Sequence, residues 1–154
     1  MKKKFYHYTR ATILEDIIES GQIKLATASI NHKNERPCAW VSTNARWEPT
    51  ATKLLIRDGI THRMTFKEQL ELEGCARIQV EPKGLFSWKS LIRLAKMDRK
   101  VAERMEQLGI ELGASPHRWF GSLNPIPMDN WICAEIFDGE KWVEYERFEY
   151  ENEL

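Results

Sequence analysis

Apolar and polar positions follow two different rhythms along this chain, and the change of rhythm marks its elements. Phe5, Tyr6 and Tyr8 follow a run of lysines and predict a short strand over 5–8 that enters the core. The period then lengthens: Ile13, Leu14, Ile17 and Ile18 fall at helical spacing and predict one buried helical face. Thr12 and Glu15 stand in capping-box register ahead of that face, and Gly21 follows it as a left-handed stop. A second short strand is expected over 23–26 and a polar surface loop over 31–37. The segment 39–42 reads as a buried strand, with 43–46 as its exit.

Further along, Glu48-Pro49-Thr50 predicts a helix start, because proline is tolerated in a first turn. Asp58-Gly59 is expected to break that helix. Thr65 and Glu68 form a second capping box, so 66–72 is predicted helical, with strand as the alternative. Residues 76–80 alternate with period two and predict a strand. From 87 to 108, Leu91, Leu94, Ala95, Val101, Met105 and Leu108 keep a helical pattern, with a restart at Asp98 and an end at Gly109. Ser115-Pro116 introduces a short turn or helix around Trp119, and 124–127 is extended. The segments 131–137 and 141–145 form a hairpin around Asp138-Gly139. The sum is a mixed α+β fold with short strands, and 154 residues suit one domain.

Charge narrows the function classes. Lys plus Arg and Asp plus Glu both number 23, so bulk electrostatic attraction to nucleic acid is not expected. Local basic stretches remain, at Lys2–Lys4 and along Lys89, Arg93, Lys96, Arg99 and Lys100, offset by acidic residues over 144–153. The three cysteines, Cys38, Cys75 and Cys133, are far apart and suggest reduced, half-buried thiols rather than a disulfide framework or zinc site. His32, His62 and His117 are scattered, and no metal is expected. No apolar segment approaches the length of a membrane span, so a soluble, cytoplasmic protein with no membrane partner is expected.

The chemistry concentrates near the start. A histidine on a strand end gives a fixed ring, and a neutral imidazole offers one donor and one acceptor, which suits ribose hydroxyls. The unit Phe5-Tyr6-His7-Tyr8-Thr9, followed by a helix ending in Ser20-Gly21 and a strand from Ile23, resembles the opening of His-type ADP-ribosyltransferases. That group includes diphtheria-toxin-like enzymes, poly(ADP-ribose) polymerases and toxins that modify DNA; RNA 2′-phosphotransferases share the fold. The resemblance implies an ADP-ribosyltransferase-like fold, a split sheet of short strands with flanking helices. It also implies NAD as substrate, with His7 holding the nicotinamide-side ribose and Thr9 lining the pocket.

A second block, Trp40 to Glu48, extends the resemblance. In that superfamily the next core strand supplies a stacking aromatic or a supporting Ser-Thr pair. Ser42-Thr43 matches the pair, Trp47 is expected to stack on nicotinamide, and Arg46 to meet the pyrophosphate through its forked donors. His7 and Trp47 are then expected to face one cleft. The catalytic glutamate, which stabilises the developing oxocarbenium ion, has two candidates, Glu48 and Glu135. A third alignment makes 117–122 the late strand that would supply it, and that segment contains no glutamate. The implied activity is transfer of ADP-ribose to a macromolecule (protein, DNA or RNA) with release of nicotinamide. The alternative is a non-catalytic protein of the same fold that binds a nucleotide or docks a partner.

Overall fold

The computed structural model describes residues 2–28, 30 and 33–145. Seven strands form its frame: β1 (Phe5–Arg10), β3 (Ala39–Ser42), β6 (Cys75–Val80), β7 (Phe86–Ser87), β8 (Trp119–Ser122), β10 (Trp131–Phe137) and β11 (Trp142–Glu144). They make one antiparallel sheet in the order β11-β10-β6-β1-β3-β8-β7. Two small pairs stand apart from it: β2 (Gln22–Ile23) with β9 (Ile126–Pro127), and the hairpin β4 (Leu54–Arg57) with β5 (Ile60–Arg63). The helices are α1 (Leu14–Ser20), α2 (Phe66–Leu72), α3 (Trp88–Leu94) and α4 (Arg99–Glu111). The mixed α+β class expected from the pattern is therefore present.

Alternation along β1 sorts the core. Its partner strand β6 pairs His7 with Ile78 and Thr9 with Ala76, and Ile78 and Ala76 belong to the cluster under α1, together with Leu14, Ile18 and Val41. Tyr6 and Tyr8 point the other way, into a cluster with Trp47 and Cys75 that Phe66 of α2 and Trp142 of β11 close. A third cluster, Trp88, Ala102, Ala114 and Trp119, joins α3 and α4 to β8. The two halves of the main sheet meet weakly: β1 and β3 pair only at Tyr6↔Ser42, whereas β1 and β6 pair over six residues.

Several local expectations are corrected. No side-chain cap forms at Thr12; the segment Ala11–Ile13 is a 3-10 turn whose N–H groups at Ala11 and Thr12 donate to the carbonyls of Gly74 and Glu73. Glu15 instead accepts a hydrogen bond from the Tyr145 hydroxyl. After Glu48 only a short 3-10 turn forms, Pro49–Ala51, and Asp58-Gly59 turns a hairpin rather than breaking a helix. Both turn residues have positive φ, 53° and 76°, the conformation that favours an Asp-Gly hairpin.

Gly109 does not end a helix: it sits inside α4, where a Cβ would lie 2.4 Å from Cζ2 of Trp119, so its lack of a side chain admits the indole. The helix restart at Asp98 does occur, with its carboxylate accepting from the Val101 N–H. Gly21 takes the left-handed conformation at φ 73°, and Thr65 and Glu68 form the expected reciprocal cap. Cys38 and Cys75 are fully buried free thiols rather than half-buried ones. Part of the expected loop over 31–37, and most of the acidic stretch 144–153, lie outside the described residues.

Candidate functional site

The weak junction between β1 and β3 opens a cleft of about 430 Å³. Past Tyr6↔Ser42 the strands diverge, and the His7 ring fills the place of the missing backbone pairing: its Nδ1 lies 2.7 Å from the Trp40 carbonyl. A carbonyl only accepts, so Nδ1 carries the proton and Nε2 is left as the acceptor. Burial pushes the His7 pKa below its ordinary 6.5; the Trp40 hydrogen bond opposes that shift, and the Lys53 charge adds to it. A neutral ring with a free lone pair suits a hydroxyl donor.

Glu48 enters the same cleft from the loop after β3 and is 6% exposed. Three donors fix its carboxylate. Oε1 accepts from the Ser42 hydroxyl at 2.9 Å, and Oε2 accepts from the Thr50 N–H at 3.1 Å and its hydroxyl at 2.7 Å. Of roughly four lone-pair positions on a carboxylate, one is left free. The walls of the cleft are aromatic and apolar, from Tyr6, Trp40, Trp88 and Trp119 to Met105 and Leu108 of α4, and Lys53 and Arg63 line it from the foot of the β4–β5 hairpin.

The loop that carries Glu48 is held by a clamp that the sequence did not suggest. Three successive carbonyls, those of Asn44, Ala45 and Arg46, accept from three side chains on the sheet: the Tyr8 hydroxyl, Arg77 Nη1 at 2.7 Å and Trp142 Nε1 at 3.1 Å. Arg77 is the centre of it. Its guanidinium carbon lies 4.0 Å from the Tyr6 ring centroid and 4.4 Å from that of Trp142, and its Nε donates to Glu135 Oε1 at 2.8 Å. The side chain is thus sandwiched between rings and paired with a carboxylate.

These placements sort the expected site residues. His7, Ser42 and Glu48 line one cleft. Thr9 is buried and lines a second cavity on the α1 side of β1. Thr43 lines neither cavity, and its N–H donates to the Arg118 carbonyl. Arg46 is exposed and also lines neither. Glu135 is not at the cleft; it is the partner of Arg77. Trp47 does not face the cleft with His7. It lines neither cavity and is buried against Tyr8 and Phe66, with its Nε1 donating to the Thr52 hydroxyl at 2.9 Å.

Lys53, Arg63 and Trp40 are cleft residues to which sequence reasoning gave no such role, though the Asp58-Gly59 turn was a signal for the first two. A two-residue hairpin there brings 53 and 63 together, as the pairing Leu54↔Arg63 does. Among the described residues, no group of His, Cys, Asp or Glu is arranged to hold a metal, and no helix is long and apolar enough to cross a membrane. Comparison of the chain with protein-family models, with curated proteins and with solved structures returned no match.

Proposed function

We propose that the cleft between β1 and β3 binds NAD and transfers its ADP-ribose to a macromolecular acceptor, in an ADP-ribosyltransferase-like split-sheet domain. The observation that supports this most is that His7 and the clamped Glu48 face one cleft at the point where the sheet opens. His7 Nε2 accepts a hydrogen bond from a hydroxyl of the nicotinamide-side ribose and fixes the sugar. The bond from C1′ of that sugar to nicotinamide breaks, and nicotinamide leaves with the electron pair. Glu48 stabilises the oxocarbenium ion that develops at C1′, the task for which a pre-oriented carboxylate in a water-poor cleft is effective. An acceptor N–H or O–H then bonds to C1′ and releases its proton. Trp47 has no part in this scheme, since it lines neither cavity.

One observation favours a second reading. Both Glu48 oxygens are already engaged by Ser42 and Thr50, an arrangement that also serves to cap the turn Pro49–Ala51. On that reading the cleft holds a nucleotide without turning it over. Incubation with NAD labelled in its adenylate half, together with protein, DNA and RNA, separates the two. Transfer of label to one acceptor class by the wild type, lost in His7→Ala, is the expected result. Label transfer that survives His7→Ala contradicts the site, and NAD binding with neither transfer nor nicotinamide release selects the second reading.

A further inference from the structure

We infer that Lys53 and Arg63, at the foot of the β4–β5 hairpin, form an anion subsite that holds a pyrophosphate, with the two ends of the ligand running into separate cavities. The identity of the ligand rests on the NAD reading; the anion subsite does not. The second cavity, about 400 Å³, lies on the α1 side of β1 and is lined by Asp16, Ser20, Gln22 and Lys24. The two cavities share three residues, His7, Tyr8 and Lys53, so Lys53 borders both.

The charge there is unbalanced. Among the described residues, neither Lys53 nor Arg63 forms a salt bridge, while the third cation nearby, Arg10, is paired with Glu73 at 3.0 Å. Burial and the neighbouring charges of Arg10 and Arg63 push the Lys53 pKa below its ordinary value, against a smaller opposing effect of Glu73. An anion at this point would relieve that repulsion.

The root of the pair is fixed. The Lys53 N–H donates to Oε1 of the fully buried Gln69 at 2.8 Å, and the Lys53 carbonyl accepts from the Met64 N–H at 3.0 Å. Arg63 Nη1 donates to the Thr52 carbonyl at 2.6 Å, leaving its other N–H groups for a ligand. A held pair of cations between two cavities fits a ligand whose charge is central and whose bulk lies on both sides. A mononucleotide fills one side only; a dinucleotide, with a nucleoside at each end of its pyrophosphate, fills both.

Calorimetric titration of wild type, Lys53→Gln and Lys53→Arg with ADP-ribose, NAD, adenosine and inorganic pyrophosphate tests this, with urea midpoints confirming that each variant folds. Lys53→Gln should weaken ADP-ribose and pyrophosphate roughly 10- to 100-fold, the worth of a charge-assisted hydrogen bond, while adenosine changes less than about twofold. Lys53→Arg should recover most of the loss. Equal affinity of Lys53→Gln and wild type for ADP-ribose overturns the subsite, as does a loss that extends equally to adenosine. If the wild type binds pyrophosphate in a Lys53-dependent way but neither ADP-ribose nor NAD, the subsite stands and the NAD reading falls. If it binds none of them, both fall.

Discussion

Replacing Glu135 separates its two assignable roles, catalytic acid and partner of Arg77. The ion pair has its Arg77 side chain 8% exposed and its Glu135 side chain 19% exposed, with Nε and Oε1 2.8 Å apart. Removing one member of a buried pair costs about 3–5 kcal/mol, because the other charge is left without compensation. Arg77 keeps the Ala45 carbonyl and the faces of Tyr6 and Trp142, and water reaches the Glu135 side, so Glu135→Ala should cost about 3 kcal/mol, the low end of that range. Glu135→Gln retains an acceptor for Arg77 Nε and should cost about half as much, in keeping with a neutral acceptor replacing a charged one. Urea unfolding followed by tryptophan fluorescence reads both. Nicotinamide release on the same samples should fall only a few-fold in Glu135→Gln, since the carboxylate is not in the cleft. A loss of stability below about 1 kcal/mol for Glu135→Ala would refute the clamp, that being the worth of an exposed pair. A hundredfold loss of turnover in Glu135→Gln, of the order seen when a transition-state group is removed, would return the catalytic role to Glu135.

Other outcomes follow from single contacts. Trp47→Phe should lower stability by about 1 kcal/mol through the lost bond to Thr52, with NAD affinity unchanged in calorimetry; a weakened affinity would put Trp47 back at the site. Gly109→Ala gains helix propensity but drives a Cβ to 2.4 Å from the Trp119 ring, so a net loss of about 2 kcal/mol is expected in urea unfolding; an unchanged midpoint would contradict the packing. His7 protonates near 6.5 in the unfolded chain and only at lower pH when folded, so its contribution makes stability fall as pH drops below 6.5 and leaves it flat above. Urea midpoints of wild type and His7→Gln, followed across the ordinary titration range of histidine, about pH 5–8, should diverge at the acid end, and parallel curves would refute the buried neutral ring.

Much of the frame was legible because its signals are local. The strand over 39–42, the strand over 131–137 and the capped helix over 66–72 stand where period and capping residues placed them. The failures have a common origin in contacts distant along the chain. The cap expected at Thr12 lost to the carbonyls of Glu73 and Gly74, and Gly109 read as a stop because the indole it accommodates comes from Trp119 on β8. Asp58-Gly59 punctuates a helix and turns a hairpin equally well, and choosing the helix hid the pairing that brings Lys53 and Arg63 to the cleft.

The site was legible to the same extent. His7, Ser42 and Glu48 lie on or next to strands that alternation identifies, and they line one cleft. The motif did not show that the Trp47 ring is taken up by Tyr8 and Phe66 in a buried aromatic cluster, which leaves it lining neither cavity. Placing Glu135 beside Arg77 rather than at the cleft required knowing that β10 pairs with β6, a matter of sheet order that single-strand patterns do not contain.

The measurement that bears most directly on the cleft is nicotinamide release from NAD by wild type and Glu48→Gln, with NAD affinity determined in parallel. The amide introduced by Glu48→Gln can keep one acceptor for Ser42 or Thr50 while losing the charge that would face the sugar cation. NAD affinity is expected within a few-fold of wild type, with a fall in release of about a hundredfold or more, the scale of a removed electrostatic stabiliser. Release that proceeds at the wild-type rate in Glu48→Gln would contradict a catalytic role for Glu48.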